Sequence, residues 1–265
     1  MQHSYLKVCE EAARAAGALL REKVGKVAFR EKKRADLVTE ADMQAQEIIR
    51  RILGESFPTH GFLGEETPGA SADSYRGNQD QFCWIVDPLD GTTNYVHQVP
   101  FFSTSIALAQ GNELLCGVVY NPISEEFFSA ERGKGAFLNG VRLHVSEVEE
   151  PKDSLVAVGM PTNTQPDSED FLALLKAIPV AQAIRRTGST ALNLAYVAAG
   201  RFDAMWGFST KAWDIAAGIL LLQEAGGVII SATGGPVSLE KPRFICAANE
   251  TLLNRWVEIL GTAVH

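Results

Sequence analysis

Cysteine is scarce and scattered in this chain. Cys9, Cys83, Cys116 and Cys246 are the whole complement, with no CxxC pair and no Cys/His cluster. Zinc therefore lacks its usual sequence sign, and a sparse disulfide framework is unusual at 265 residues, so all four read as reduced packing residues. Long apolar runs are missing too. No stretch could span a bilayer and no basic-then-apolar leader follows Met1, so no membrane association is expected and the cytoplasm is the expected compartment. Positive charge is in deficit: 24 Lys and Arg against 32 Asp and Glu give a net charge of −8. That argues against broad nucleic-acid binding, which needs a cationic surface. Two local exceptions, Arg30-Glu31-Lys32-Lys33-Arg34 and Arg185-Arg186, read as solvated loop, or as cations that draw an anionic substrate toward a site. Walker A, HExxH and GxSxG patterns are absent, and the stretch around Gly133-Lys134-Gly135 lacks the final glycine of GxGxxG. Nucleotide-triphosphatase, zincin, serine-hydrolase and dinucleotide sites are thus unsupported.

What remains is a globular pattern. Hydrophobic residues make up 46% and charged residues 21%, ordinary for a folded domain, and the length allows one large domain or two that share a core. Leu6, Ala13, Ala16, Leu19 and Leu20 recur at helical spacing, and a second helix runs to about Leu53 behind a Thr39–Asp42 N-cap. Phe62-Leu63 reads as a short strand that delivers Glu65 and Glu66, and residues 67 to 81 read as an exposed loop. Strands follow at Ser103–Ala109, Cys116–Tyr120 and Glu126–Ala130, with turns at Gly111-Asn112, Gly133-Lys134-Gly135 and Asn139-Gly140. A composition shift at Glu149-Glu150-Pro151 divides the chain into 1–148, an α+β domain, and 149–265, an α/β domain. The second part alternates strands near Leu155–Val158, Ala183–Arg186 and Ala204–Trp206 with helices near 168–177, from Ala191 and from Trp213. Val228-Ile229-Ile230 reads as a buried strand, Phe244–Ala247 as another, and a helix follows Asn249.

The most informative run is Trp84-Ile-Val-Asp87-Pro88-Leu89-Asp90-Gly91-Thr92-Thr93-Asn94. An apolar strand ends in two carboxylates, and a glycine turn enters a helix immediately after. Carboxylate oxygens suit a hard divalent cation; the unpaired N–H groups of a helix start suit a phosphate. Side by side they imply phosphate-ester chemistry.

This run resembles the first signature of the inositol monophosphatase family, magnesium-dependent and lithium-sensitive phosphomonoesterases. Trp213-Asp214-Ile215-Ala216-Ala217-Gly218 with Glu224-Ala225-Gly226-Gly227 is similar to the second signature, and Gly64-Glu65-Glu66 to an upstream element. The resemblance implies a layered αβαβα sandwich of the inositol monophosphatase and fructose-1,6-bisphosphatase type, often a homodimer. It implies Mg2+, two or three ions per site: Glu65, Asp87 and the Leu89 carbonyl for one, Asp87, Asp90 and Asp214 for a second, and Glu65 near a weaker third. Thr92, helped by Glu65, would orient the attacking water, and Asp42 would hydrogen-bond a water or threonine beside it. Gly91 and Thr92 N–H groups would hold the phosphate that Asp90 adjoins, and Glu66 would stand behind Glu65. Gly188, Ser189 and Thr190 fit a substrate loop, and Lys211 could meet a second anionic group.

The match frays at the substrate. The inositol enzymes carry a sugar-contacting glutamate seven residues before the Trp-Asp aspartate, where this chain has Gly207. Restoring it by Gly207→Glu is expected to favour inositol phosphate. The resemblance implies a small phosphorylated metabolite as substrate: inositol 1-phosphate, histidinol phosphate, a sugar bisphosphate or a nucleotide phosphate. Some bacterial relatives are instead similar to accessory factors of transcription or ribosome maturation, a role of another class.

Overall fold

An apolar stripe at helical spacing makes the first element. α1 (Tyr5–Lys23) buries Val8, Cys9, Ala12, Ala13, Ala16 and Leu20 along one face, positions that a helix stacks on one side. The computed structural model describes residues 4–26, 29–33, 36–69 and 81–261, with backbone only at 29–33 and 36–38. β1 (Phe29–Lys33) pairs antiparallel with β2 (Asp36–Thr39). The cationic stretch read as loop is therefore in part a strand; its side chains, and Arg34 altogether, lie outside the described residues, as does most of the 67–81 loop.

α2 (Glu40–Ser56) starts on the anticipated cap. Thr39 Oγ1 accepts from the Ala41 and Asp42 N–H groups, and Asp42 Oδ2 accepts from Thr39 N at 2.9 Å, a reciprocal box that satisfies two orphan donors. Next come β3 (Gly61–Gly64), β4 (Phe82–Asp90), the single turn α3 (Thr92–Val96), β5 (Ser103–Gln110), β6 (Glu113–Asn121), β7 (Glu126–Glu131), β8 (Gly135–Leu138) and β9 (Val141–Arg142). β3 to β9 form one seven-stranded sheet in chain order, antiparallel except for the parallel pair β3–β4. The turns before β8 and β9 were legible, but these strands, four and two residues long, carry too few residues to show a period of two.

The chain continues through β10 (Leu155–Gly159), α4 (Glu169–Ala177), β11 (Ala183–Arg185), α5 (Thr190–Ala198), β12 (Ala204–Gly207), α6 (Ala212–Glu224), β13 (Val228–Ser231), β14 (Phe244–Ala247) and α7 (Glu250–Leu260). A second sheet has the order β11-β10-β12-β14-β13. β13 sits at its edge and is half-buried, so the reading of a buried strand is corrected: among the described residues one flank has no neighbouring strand to cover it.

Side-chain alternation assigns the layers. Trp84 and Val86 of β4 pack with α1 and α2, whereas Ile85 packs with α5 and α6, because successive residues of a strand face opposite sides. The second sheet divides likewise: Met205 and Cys246 face α5 and α6, and Val156, Trp206 and Ile245 face α4 and α7. The result is the αβαβα sandwich, with α5 and α6 as the shared middle layer. Gly117 lets α6 lie against β6, since a Cβ there would stand 3.0 Å from Ala217 Cα. The four cysteines are free, and Cys9, Cys116 and Cys246 are fully buried packing residues.

The second signature also has a structural task. Glu224 Oε1 and Oε2 accept from Gly133 N and Gly135 N, at 2.7 Å each, which clasps the β7–β8 turn to the end of α6. Hydrogen bonds to a charged group contribute about 1.5–3 kcal/mol. Glu224→Ala is expected to lower the melting temperature by several degrees while KM stays constant; an unchanged melting curve would contradict the clasp.

Candidate active site

β3 and β4 run parallel, so both deliver their C-terminal ends to the same rim. Glu65 N donates to Val86 O at 3.1 Å, which puts Glu65 beside Asp87. Asp87 and Asp90, three residues apart, would face opposite sides of a regular strand. The register prevents this: Asp87 pairs with Ser105 and Asp90 with Ser103. One extra residue in β4 is a bulge, and it turns both carboxylates toward the layer of α5 and α6. Thr104 Oγ1 donates to Pro88 O at 3.0 Å inside the bulge. Ser105 Oγ donates to the carbonyl of buried Trp213 at 3.4 Å, which ties the same face to Asp214.

Four helices begin here, and an aspartate serves the start of three. Asp42 belongs to the α2 cap. Asp90 Oδ2 accepts from Ser189 Oγ and from Ala191 N at 2.8 Å, and its Oδ1 from Thr190 N at 3.2 Å, at the start of α5. Asp214 Oδ2 accepts from Lys211 N at 2.8 Å at the start of α6. The fourth helix, α3, opens from Gly91, whose φ of 99° suits glycine. Its first internal bond is Tyr95 N to Gly91 O at 3.0 Å, so the N–H groups of Thr92 to Asn94 have no partner within the helix.

Burial makes these charges expensive. Asp87 is 2% exposed and Asp90 8%. Burial pushes the Asp87 carboxyl well above its ordinary range, and the negative charges of Glu65, Asp90 and Asp214 push it further. Burial raises Asp90 to about 6 against the hydrogen bonds from Ser189, Ala191 and Thr190. Asp214 rises to about 7 through burial and the charge of Asp90, opposed by Lys211. Asp42 rises to about 6 through burial, with Glu66 adding repulsion and the Thr39 hydrogen bonds opposing it. Among the described residues, no three Asp, Glu, His or Cys side chains stand in ligating geometry. The donor set nevertheless fits a hard cation: it is all oxygen, and its members repel one another.

A cleft of about 650 Å³ opens beside the starts of α3 and α5. Glu65, Gly91 and Thr92 line it, with Gly188, Ser189 and Thr190 and with Arg186, Ser209 and Lys211. Thr92 Oγ1 lies 3.1 Å from Asp42 Oδ1 and 3.2 Å from Leu89 O. Glu66 stands one residue beyond Glu65, with its N–H held by Gln46 Oε1 at 2.9 Å. Ser189, placed in a substrate loop, lines the cleft, but its Oγ donates to Asp90 and accepts from Leu192 N. Residues missed from the sequence include Asn94, which donates to Phe101 O at 2.7 Å and Thr187 O at 2.8 Å and so joins the two loops of the cleft. Ser209 and Asp170, the buried carboxylate behind Ser209, were also missed as site residues, whereas Arg186, read as loop or as a cation that draws an anionic substrate, lines the cleft.

Gly207 is buried at the end of β12. A Cβ there would stand 2.8 Å from Thr210 Cγ2 and 3.1 Å from the Phe244 ring. The expectation that Gly207→Glu restores an inositol contact is therefore replaced. Overpacking of this kind destabilises by about 1–3 kcal/mol, and the variant is expected to melt lower with no gain on inositol phosphate. A folded variant with higher activity on that ester would contradict the steric account.

A family model described as the inositol monophosphatase family matches residues 1–264. The inositol-1-monophosphatase of Rhizobium meliloti is 43% identical over 85% of this chain and 83% of its own length. Nus factor SuhB of Pseudomonas aeruginosa is 41% identical over 91% of this chain and 90% of its own. Among solved structures, the extragenic suppressor protein suhB of Bartonella henselae superposes with a TM-score of 0.87 at 38% identity, covering 97% of this chain and 98% of that one. With the sandwich in place and the likeness running from end to end, the chain belongs to the inositol monophosphatase family and is a phosphoric monoester hydrolase.

Proposed function

We propose that the cleft hydrolyses the phosphate monoester of a small hydroxylated metabolite, inositol 1-phosphate foremost, with magnesium bound. Glu65, Asp87, the Leu89 carbonyl, Asp90 and Asp214 would hold two or three ions. The observation that carries this reading is Asp87, buried to 2% exposure within reach of three further carboxylates. Two carboxylates about 5 Å apart repel by roughly 3 kcal/mol at an effective dielectric near 20, and a cation removes that penalty. When bound, the ions supply positive charge to the phosphoryl oxygens and make water a better nucleophile.

The chain's own groups do the rest. The N–H groups opening α3 receive the phosphoryl oxygens, and Gly91 keeps the approach clear. Thr92 donates its proton to Asp42, which leaves its lone pairs to accept a proton from the attacking water. Thr39 holds Asp42 from the other side. Glu65, at the cleft edge, assists that water. The family likeness supports lithium sensitivity and a homodimer.

Phosphate release from a panel tests the reading: inositol 1-phosphate, histidinol phosphate, fructose 1,6-bisphosphate, NADP and adenosine 3′,5′-bisphosphate, each with magnesium and with lithium added. Magnesium-dependent, lithium-inhibited turnover is expected; silence from folded protein across the panel would overturn it. The 41% identity to Nus factor SuhB favours a second reading, a binding role in transcription or ribosome maturation. Co-purification with RNA polymerase that survives loss of turnover would support it.

A further inference from the structure

Only part of the segment from Gly207 to Lys211 can reach a ligand. Gly207 has no room for a side chain. Phe208 is buried, and Thr210 is buried with its hydroxyl donated to the Pro242 carbonyl. Ser209, between them, is exposed and lines the cleft beside Lys211. Its hydroxyl is already directed. Ser209 Oγ donates to Asp170 Oδ2 at 2.6 Å, and Asp170 Oδ1 accepts from Phe208 N at 3.0 Å.

Asp170 is 3% exposed on the first turn of α4, with no cationic partner among the described residues. A buried carboxylate needs donors, so the Ser209 proton stays with it. A hydroxyl whose one proton is committed has only lone pairs left to offer. Lys211, two residues on in the same lining, is a donor only, so Ser209 supplies a neutral acceptor to this part of the cleft.

We propose that Ser209 selects the substrate: its Oγ accepts a hydrogen bond from a hydroxyl remote from the phosphate, so the site prefers polyol phosphates to esters without such a hydroxyl. Asp170 is the positioning residue that keeps Oγ an acceptor. The proposal rests on the phosphatase reading of the cleft.

The test compares kcat/KM for inositol 1-phosphate and phenyl phosphate in wild type, S209A, S209T and D170N. Ser209→Ala should lower the preference for the polyol ester about tenfold, the worth of one hydrogen bond, with the change in KM rather than kcat. Ser209→Thr keeps the hydroxyl and should restore the preference. In Asp170→Asn the serine proton is no longer fixed by a carboxylate, and a less ordered Oγ should bind the polyol hydroxyl more weakly, so part of the preference should be lost there too. An S209A ratio within twofold of wild type, or equal losses on both esters, would overturn the proposal even if D170N fails to fold. Turnover of phenyl phosphate with no preference for inositol 1-phosphate in wild type would also overturn it. Turnover of neither ester would instead remove the phosphatase reading beneath it.

Discussion

Asp87→Asn is expected to reduce phosphate release by about 10³-fold and to raise the melting temperature of the metal-free protein. The two effects share one cause. Asp87 is buried among Glu65, Asp90 and Asp214, an arrangement that disfavours folding unless a cation offsets it. The amide is isosteric and keeps the Oδ1 acceptor for Leu89 N, which lies 3.0 Å away, so packing is preserved while one charge is removed. Without metal, relief of about 1–2 kcal/mol corresponds to a rise of a few degrees in a chain of this size. Loss of a ligand removes several kcal/mol of charge stabilisation at the phosphoryl group, and each 1.36 kcal/mol is tenfold in rate. Magnesium should raise the melting temperature of wild type and leave that of the variant unchanged. A metal-free variant that melts lower than wild type, or that keeps a tenth of the activity, would contradict the role given to Asp87. Asp90→Asn is less informative, because Asp90 also caps α5 through Ser189, Thr190 and Ala191.

Thr92→Val is expected to lower kcat by about 10²–10³-fold with KM within a fewfold, and Thr92→Ser to recover most of the loss. Valine keeps the branched shape and removes the hydroxyl that stands between Leu89 O and Asp42 Oδ1. A positioned group that moves a proton in the transition state contributes about 10²–10⁴-fold. Capping predicts something else. The N-cap of α3 is Gly91, with no side-chain cap, so any structural worth of the one hydrogen bond that the hydroxyl donates should appear as about 1 kcal/mol of stability. Steady-state kinetics and thermal unfolding on the same two variants separate the roles. Full kcat in a destabilised Thr92→Val would assign the threonine to structure.

Much of this was legible in the residues because the signals are local. The Thr39–Asp42 cap, the helix stripe of α1 and the apolar run into Asp87 each lie within a few residues of one another, and each formed as read. The two signatures also named Asp87 and two of the carboxylates, Asp90 and Asp214, whose charges act on it. What was not legible depends on registry or on distant partners. The bulge that brings Asp87 and Asp90 to one face is set by pairing with Ser105 and Ser103, and nothing within the run announces it. Asp170 meets Phe208 and Ser209 across separations of 38 and 39 residues, so its role was invisible in a helix that otherwise reads as an outer layer. Gly207 looked like a missing anchor in the sequence; in the fold it is a position where Thr210 and Phe244 leave no room. β13 carried an apolar run like that of a central strand, and only the sheet order shows it at the edge.

The most direct test of the central claim is phosphate release from inositol 1-phosphate by protein stripped with a chelator, measured before and after magnesium is returned. The account predicts no turnover above background in the stripped protein and full recovery at millimolar magnesium. Equal turnover in both states would show that the buried carboxylates do their work without a cation, and would contradict it.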